Sequence, residues 1–293
     1  EDCDHLLPQV PSIPYADQDA HSKRIFDSND WLSYEISEAQ IKASRQAYFA
    51  NISYLDDKIG GILDVLEMTG QEATILFVSD HGDMLGERGL WFKMSFFEGA
   101  ARVPLMIAAP EMAPGVVTAP VSTIDICPTL CNLAGISMAE VMPWTHGESL
   151  VPLASGGARR QAVAMEYAAE ASYAPLVSLC SGWWKYIRCA LDPEQLFNLE
   201  TDPHELCNLA SNPQYAKILQ DLRDQSHALW DLDRFDAEIR ESQARRWVIY
   251  EALREGGYYP WDYQPLQKAS ERYMRNHMDL NALEAKKRVP KGT

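Results

Sequence analysis

The segment Thr74-Ile75-Leu76-Phe77-Val78-Ser79-Asp80-His81-Gly82-Asp83 constrains this chain most. Thr74 to Val78 is a nearly continuous apolar run with β-branched members and polar flanks, which predicts a strand buried on both faces of a parallel sheet. The run stops abruptly in charge. Ligands collect at the carboxyl ends of strands in open α/β sheets, so Asp80 and His81 are candidate ligands for a divalent metal. As a bare turn, Asp80-His81-Gly82 would need only Gly82 at positive φ. Lys93, thirteen residues beyond Asp80, adds a cation to the same loop.

The segments on either side fit a layered α/β chain. From Leu7 to Trp31 the sequence is rich in proline, aspartate and serine and predicts an extended surface segment, with His5 and His21 as solvated bystanders. Ser37-Glu38-Ala39-Gln40 has the spacing of a capping box. Ile41, Tyr48, Ile52, Leu55, Ile59, Ile62 and Leu66 then form one apolar stripe, and Gly70 closes the helix before the strand. Asp56 and Asp57 point about 100° apart on such a helix and read as a solvated face. Val103 to Ala109 predicts a second buried strand with Pro104 at its start. In Ser122 to Leu133, Thr123 or Asp125 is placed to cap a helix whose Leu130 and Leu133 pack inward.

After Ser155-Gly156-Gly157-Ala158, a linker by composition, the pattern changes to short aromatic and β-branched runs. Gln161–Tyr167, Leu176–Ser181, Trp183–Arg188 and Gln195–Leu199 predict antiparallel strands joined by tight links. Pro213 to Leu232 predicts a helix with Tyr215, Ile218, Leu222 and Leu229 on one face. His204 and His227 read as scaffold or surface residues.

The net charge of −16 argues against a nucleic-acid partner, because phosphate binding needs a basic face. No apolar run reaches the roughly 18 residues of a spanning helix, so no membrane partner is expected. The six cysteines lack a C-x-x-C pair or other metal-ligand spacing, which points to a reduced, cytoplasmic protein.

Asp80-His81-Gly82, Lys93 and Glu98-Gly99-Ala100-Ala101-Arg102-Val103-Pro104, taken together, resemble the sulfatase branch of the alkaline phosphatase superfamily. Tyr48 to Asp57, Ser122 to Leu130, His146 to Leu150 and Gln195 to Glu205 resemble further segments of that family. The resemblance implies an α/β, alkaline-phosphatase-like sandwich with a parallel-rich central sheet, plus a small C-terminal α+β subdomain with a short antiparallel sheet. The expected units are residues 1–154, the C-terminal part of the catalytic domain, residues 155–257, the small subdomain, and residues 258–293, a tail. The resemblance further implies that Asp80 and His81 bind a divalent cation, usually calcium, and that Lys93 contacts sulfate. His81 stands where many relatives have asparagine, which leaves room for manganese or magnesium. Arg102 is expected to pair with Glu98 and fix the loop.

Sulfatases carry paired aspartates and a Cys/Ser-x-Pro-x-Arg motif whose first residue becomes a formylglycine nucleophile. Neither occurs here: Cys127-Pro128-Thr129-Leu130 has its proline one place early and no arginine. The sequence is therefore expected to be the C-terminal portion of a longer enzyme, with the formylglycine in the missing part.

The opening Glu1-Asp2-Cys3-Asp4-His5, Asp83-Met84-Leu85-Gly86-Glu87, and the tail from Tyr258 to Asn281 resemble the choline-sulfatase branch of the family. There the C-terminal extension makes oligomer contacts and reaches towards a substrate pocket, which implies a homo-oligomer, dimer or tetramer. The implied substrate is a small sulfate ester, choline O-sulfate. Its quaternary ammonium donates no hydrogen bonds and is recognised by aromatic faces and carboxylates. Glu166, Glu170 and Asp279 are the carboxylate candidates, with Glu170 preferred to Glu166 by its match to the family's pocket glutamate. Lys93 and His81 are the expected catalytic residues. Two alternatives stand beside this reading: a phosphonate monoester or phosphodiester hydrolase of the same superfamily, and an inactive fragment or scaffold subunit.

Overall fold

The computed structural model of the chain describes residues 6–256 apart from 111 and 160. Asp279, the tail from Tyr258, His5 and Cys3 lie outside the described residues. The first helix, α1 (Ala20–Ser28), is capped by Asp19, whose carboxylate accepts from the His21 and Ser22 backbone N–H groups. This corrects the expected extended surface segment. His21 and Ser22 stand one turn before Ile25 and Phe26 and are buried with them, and that spacing turns a polar-looking stretch into a packed helix.

Helix α2 (Glu38–Thr69) starts with the predicted capping box between Ser37 and Gln40 and ends at Gly70 with φ 62°. Its stripe, however, is not buried: Ile52 is 50% and Ile62 67% accessible and Ile41, Tyr48, Ile59 and Leu66 are only half-buried, because no described layer covers that face. Strand β1 (Ile75–Val78) is followed by the short helix α3 (Glu98–Ala101) and strand β2 (Leu105–Ala108). The two strands pair antiparallel, with Ile75 opposite Ala108 and Val78 opposite Leu105. Both strands are partly open to solvent, so the expected burial on two faces of a parallel sheet is not what the described residues form.

Helix α4 (Ile126–Leu133) packs through Pro128 and Thr129, while Leu130 is exposed, contrary to the predicted inward face. Asp125 occupies the N-cap position of α4, as one of the two expected candidates, without a side-chain cap bond; Ser122, whose hydroxyl accepts from Ile124 N–H, caps the 3-10 turn Thr123–Asp125 that precedes it. Asp125 has another role. It is fully buried, accepts from the Ser122 and Glu148 backbone N–H groups, and pairs with Arg159 at 2.5 Å. Short helices α5 (Met138–Val141) and α6 (Val151–Ala154) follow.

The second sheet runs β3 (Val163–Tyr167), β4 (Leu176–Ser181), β5 (Trp184–Cys189), β6 (Gln195–Asn198), all antiparallel neighbours as predicted. Alternation along these strands gives the sheet two buried faces. On one, Leu176, Ile187, Cys189 and Phe197 pack against Ile25, Phe26 of α1 and the loop residues Met84, Leu90, Met94, Phe96 and Phe97. On the other, Leu179, Tyr186 and Leu196 pack against Leu219 and Leu222 of α7 (Ala216–Leu229). Leu229, predicted on the same face, is exposed at the helix end. Helix α8 (Leu232–Gly256) closes the described chain, and no helix among the described residues is long and apolar enough to cross a membrane.

Candidate functional site

Strand β1 ends at Val78, and the next residues fold into a turn that presents two side chains together. The Asp80 carboxylate accepts from the His81 backbone N–H at 2.9 Å, and Ser79 Oγ donates to the His81 carbonyl at 2.8 Å. His81 Nδ1 donates to the Gly82 carbonyl at 2.8 Å, which fixes the tautomer and leaves the Nε2 lone pair free. That nitrogen lies 3.5 Å from Asp80 Oδ2. The His81 backbone N–H holds the Asp80 carboxyl below the usual range, and the charge of Lys93 acts in the same direction. Lys93 thus acts on the same patch as the pair.

An ionised carboxylate beside a free imidazole nitrogen is a donor set that fits a divalent cation. It is a partial shell: no group of three or more histidine, cysteine or carboxylate side chains with ligand geometry occurs among the described residues.

Gly82 is not at positive φ, contrary to the turn expectation. Glycine is required for another reason: a Cβ there would sit 2.1 Å from the Gly99 carbonyl oxygen. Gly82 N–H donates to the Ala100 carbonyl at 2.8 Å, so the Asp80-His81 turn rests directly on α3.

The loop from Asp83 to Lys93 is held by its own polar groups. Asp83 Oδ1 accepts from the N–H groups of Leu85 and Phe92, and Glu87 accepts from the backbone of Gln9 and Val10. Leu85, Arg88 and Phe92 all lie in the left-handed region, at φ 48°, 61° and 66°. Such a concentration of strained non-glycine residues accompanies functional loops.

His21, expected as a solvated bystander, is buried instead and supports this loop. Its Nε2 bonds the carbonyl of Met94, the residue after Lys93, at 2.6 Å, and its ring meets Tyr167 edge-on at 5.5 Å. Burial pushes its pKa down, and Nδ1 has no partner among the described residues. Tyr167 in turn donates its hydroxyl to the Glu170 carbonyl at 2.9 Å and carboxylate at 3.3 Å. Glu170 is exposed and lies two side chains from Met94. Glu166, next to Tyr167 on β3, accepts from Trp230 Nε1 at 2.6 Å. Period-two alternation sends it to the other face.

Arg102 was expected to hold Glu98. The ion pair is present at 3.8 Å, with an Arg102 side chain that is 80% exposed. The cation that grips Glu98 is Lys185, from β5, at 2.6 Å. Lys185 alternates with Ile187 and Cys189 on the sheet face that meets the loop, so a charged residue at an inward position was the available signal.

Three family profiles match the chain: "Sulfatase" over residues 8–136, "N-sulphoglucosamine sulphohydrolase, C-terminal" over 86–231, and "Choline sulfatase enzyme C terminal" over 237–289. The chain is 61% identical over its full length to a choline-sulfatase of Rhizobium meliloti (strain 1021), and spans 58% of that protein. It is 36% identical to arylsulfatase K of Danio rerio, over 65% of this chain and 38% of that one. Among solved structures, a 2-O GAG sulfatase superposes with TM-score 0.66 at 23% identity, over 76% of this chain and 52% of that one. A phosphonate monoester hydrolase from Silicibacter pomeroyi superposes with TM-score 0.64 at 25% identity, over 76% and 50%. The fold is that of the alkaline-phosphatase-like enzymes.

Proposed function

Because the chain belongs to the sulfatase family, we propose that it forms the cation- and sulfate-binding side of an enzyme that hydrolyses choline O-sulfate to choline and sulfate. The observation that carries this reading is the Asp80–His81 pair under the influence of Lys93. A divalent cation, calcium first with manganese or magnesium as alternatives, supplies charge neutralisation at the sulfate oxygens when bound. Asp80 would hold it through a carboxylate oxygen and His81 through Nε2. Lys93 directs its ammonium at the leaving oxygen, where negative charge builds as the ester bond lengthens. The nucleophile, a formylglycine, is assigned to sequence outside these 293 residues, which contain no Cys/Ser-x-Pro-x-Arg segment.

At the other end of the substrate, Glu170 faces the quaternary ammonium, with Asp279 as a second carboxylate from the tail. Tyr167 pins the Glu170 carboxylate, and carboxylates with aromatic faces suit a cation that offers no hydrogen-bond donor. We divide the chain into residues 1–154 of the catalytic domain, 155–257 of the small subdomain, and a tail, 258–293, that joins copies into a homo-oligomer. The match of residues 237–289 to a choline-sulfatase C-terminal profile supports assigning the tail to that branch of the family. The five described cysteines are all unpaired, which supports a cytoplasmic setting.

The superposition on a phosphonate monoester hydrolase favours one competing reading. The full-length enzyme with calcium, assayed side by side on choline O-sulfate, a phosphonate monoester and a phosphodiester, separates them. We expect kcat/KM on choline O-sulfate to exceed the others by more than about tenfold. Preference for a phosphorus ester, or no turnover of any of the three, would overturn the proposal.

A further inference from the structure

The small subdomain carries a buried charge that the reaction does not use. Lys185 Nζ is fully buried and donates to the Phe96 carbonyl at 2.8 Å, Glu98 Oε1 at 2.6 Å and Glu205 Oε1 at 2.8 Å, three acceptors for its three protons. The second oxygen of Glu205 accepts from the Glu98 backbone N–H at 2.7 Å. Burial favours the neutral form of both partners, whereas each charge favours ionisation of the other. With donors on both oxygens of Glu205, the ionised pair satisfies every polar atom. Glu205 also sits at φ 57°, and its carbonyl accepts from Arg88, whose guanidinium lies 4.1 Å from the Phe97 ring.

These contacts converge on one place. Glu98 opens α3, and the next two residues, Gly99 and Ala100, form the surface against which Gly82 is pressed. A continuous line of short contacts thus runs from β5 through Lys185, Glu98 and Ala100 to Gly82, the neighbour of His81. We propose that Lys185 and Glu205 are positioning residues: the small subdomain sets the orientation of the Asp80-His81 turn through a buried ion cluster centred on Glu98. Lys185→Met strands two carboxylates without their cation, and Glu205→Gln sets an amide NH2 against one of two donors, Lys185 Nζ or the Glu98 N–H, so in either variant α3 must shift. Gly82 has no free space in which to absorb that shift.

The consequence for cation binding rests on the function proposed above; the mechanical link does not. The test compares Lys185→Met and Glu205→Gln in the full-length enzyme with Arg188→Met. Arg188 is a buried cation of the same strand that faces α7, where it donates to Ser226 Oγ at 3.1 Å. Amide exchange at Gly82 should accelerate about tenfold or more in the first two variants and stay at the wild-type rate in the third. Calcium affinity, measured by calorimetry, should fall about 10- to 100-fold in the same two only. Their kcat should fall with it. Glu205→Gln keeps the shape of the side chain and decides the matter if Lys185→Met does not fold. Wild-type protection at Gly82 in a folded triad variant would overturn the inference, as would equal loss in Arg188→Met. A wild-type enzyme that binds none of calcium, manganese and magnesium would instead overturn the function, while the exchange data would still report on the link.

Discussion

Lys93 is exposed and its side chain has no hydrogen-bond or ion-pair partner among the described residues, so its replacement isolates electrostatics. Lys93→Ala should lower kcat about 10²- to 10³-fold, the usual cost of removing one preorganised charge from a transition state, with the thermal midpoint unchanged. His21 makes the opposite kind of prediction. Burial depresses its pKa in the folded chain, whereas in the unfolded chain it protonates near the ordinary value of 6.5. Its contribution to stability is therefore complete above about pH 6.5 and is lost as pH falls through the folded value. A denaturation series from pH 7.5 to 5 should show this acid-side decline in the wild type and a flatter profile in His21→Phe. The grouping of Asp80 with His81, within reach of the Lys93 charge, was legible in the sequence because a strand end and spaced polar residues mark it. His21 and Lys185 were not, since their roles come from partners 73 and 87 residues away. Burial of a polar side chain by distant segments leaves no local trace.

Local rules located the elements more faithfully than their neighbours. The capping box at Ser37 and the αL glycine at Gly70 bound α2 where the sequence placed them, and the four strands of the second sheet pair as predicted. Ser37→Ala should cost about 1 kcal/mol by loss of the cap, read as a shift in the denaturation midpoint. What periodicity did not give was the partner of each face. The stripe of α2 is exposed or half-buried among the described residues, and β1 pairs antiparallel with β2, because a pattern of apolar residues specifies that a face is buried without naming what buries it. Gly82 shows the same limit at a turn. The sequence marked it as special, and the reason is the close approach of α3. Gly82→Ala should destabilise the enzyme by about 1–3 kcal/mol, as overpacking does, and should weaken calcium binding in parallel.

At the scale of the molecule, one sheet serves two neighbours. Its α7 face builds an ordinary apolar core, and its other face receives α1 and the loop that ends at Lys93. The Asp80-His81 turn therefore has no rigid layer of its own among the described residues beyond the two-stranded β1–β2 ladder. Its orientation comes from α3 and the charges beneath it. This arrangement explains why the chain carries an inward lysine in a strand, a left-handed glutamate and three strained loop residues within one region. The central claim is that Asp80 and His81 share a dication with an anion that Lys93 faces. Crystals of the full-length enzyme grown with calcium and sulfate test it most directly. The account predicts calcium about 2.3–2.6 Å from an Asp80 carboxylate oxygen, with His81 Nε2 in the same shell and a sulfate oxygen on Lys93 Nζ. Calcium bound elsewhere, with the Asp80 and His81 side chains turned away from Lys93, would contradict it.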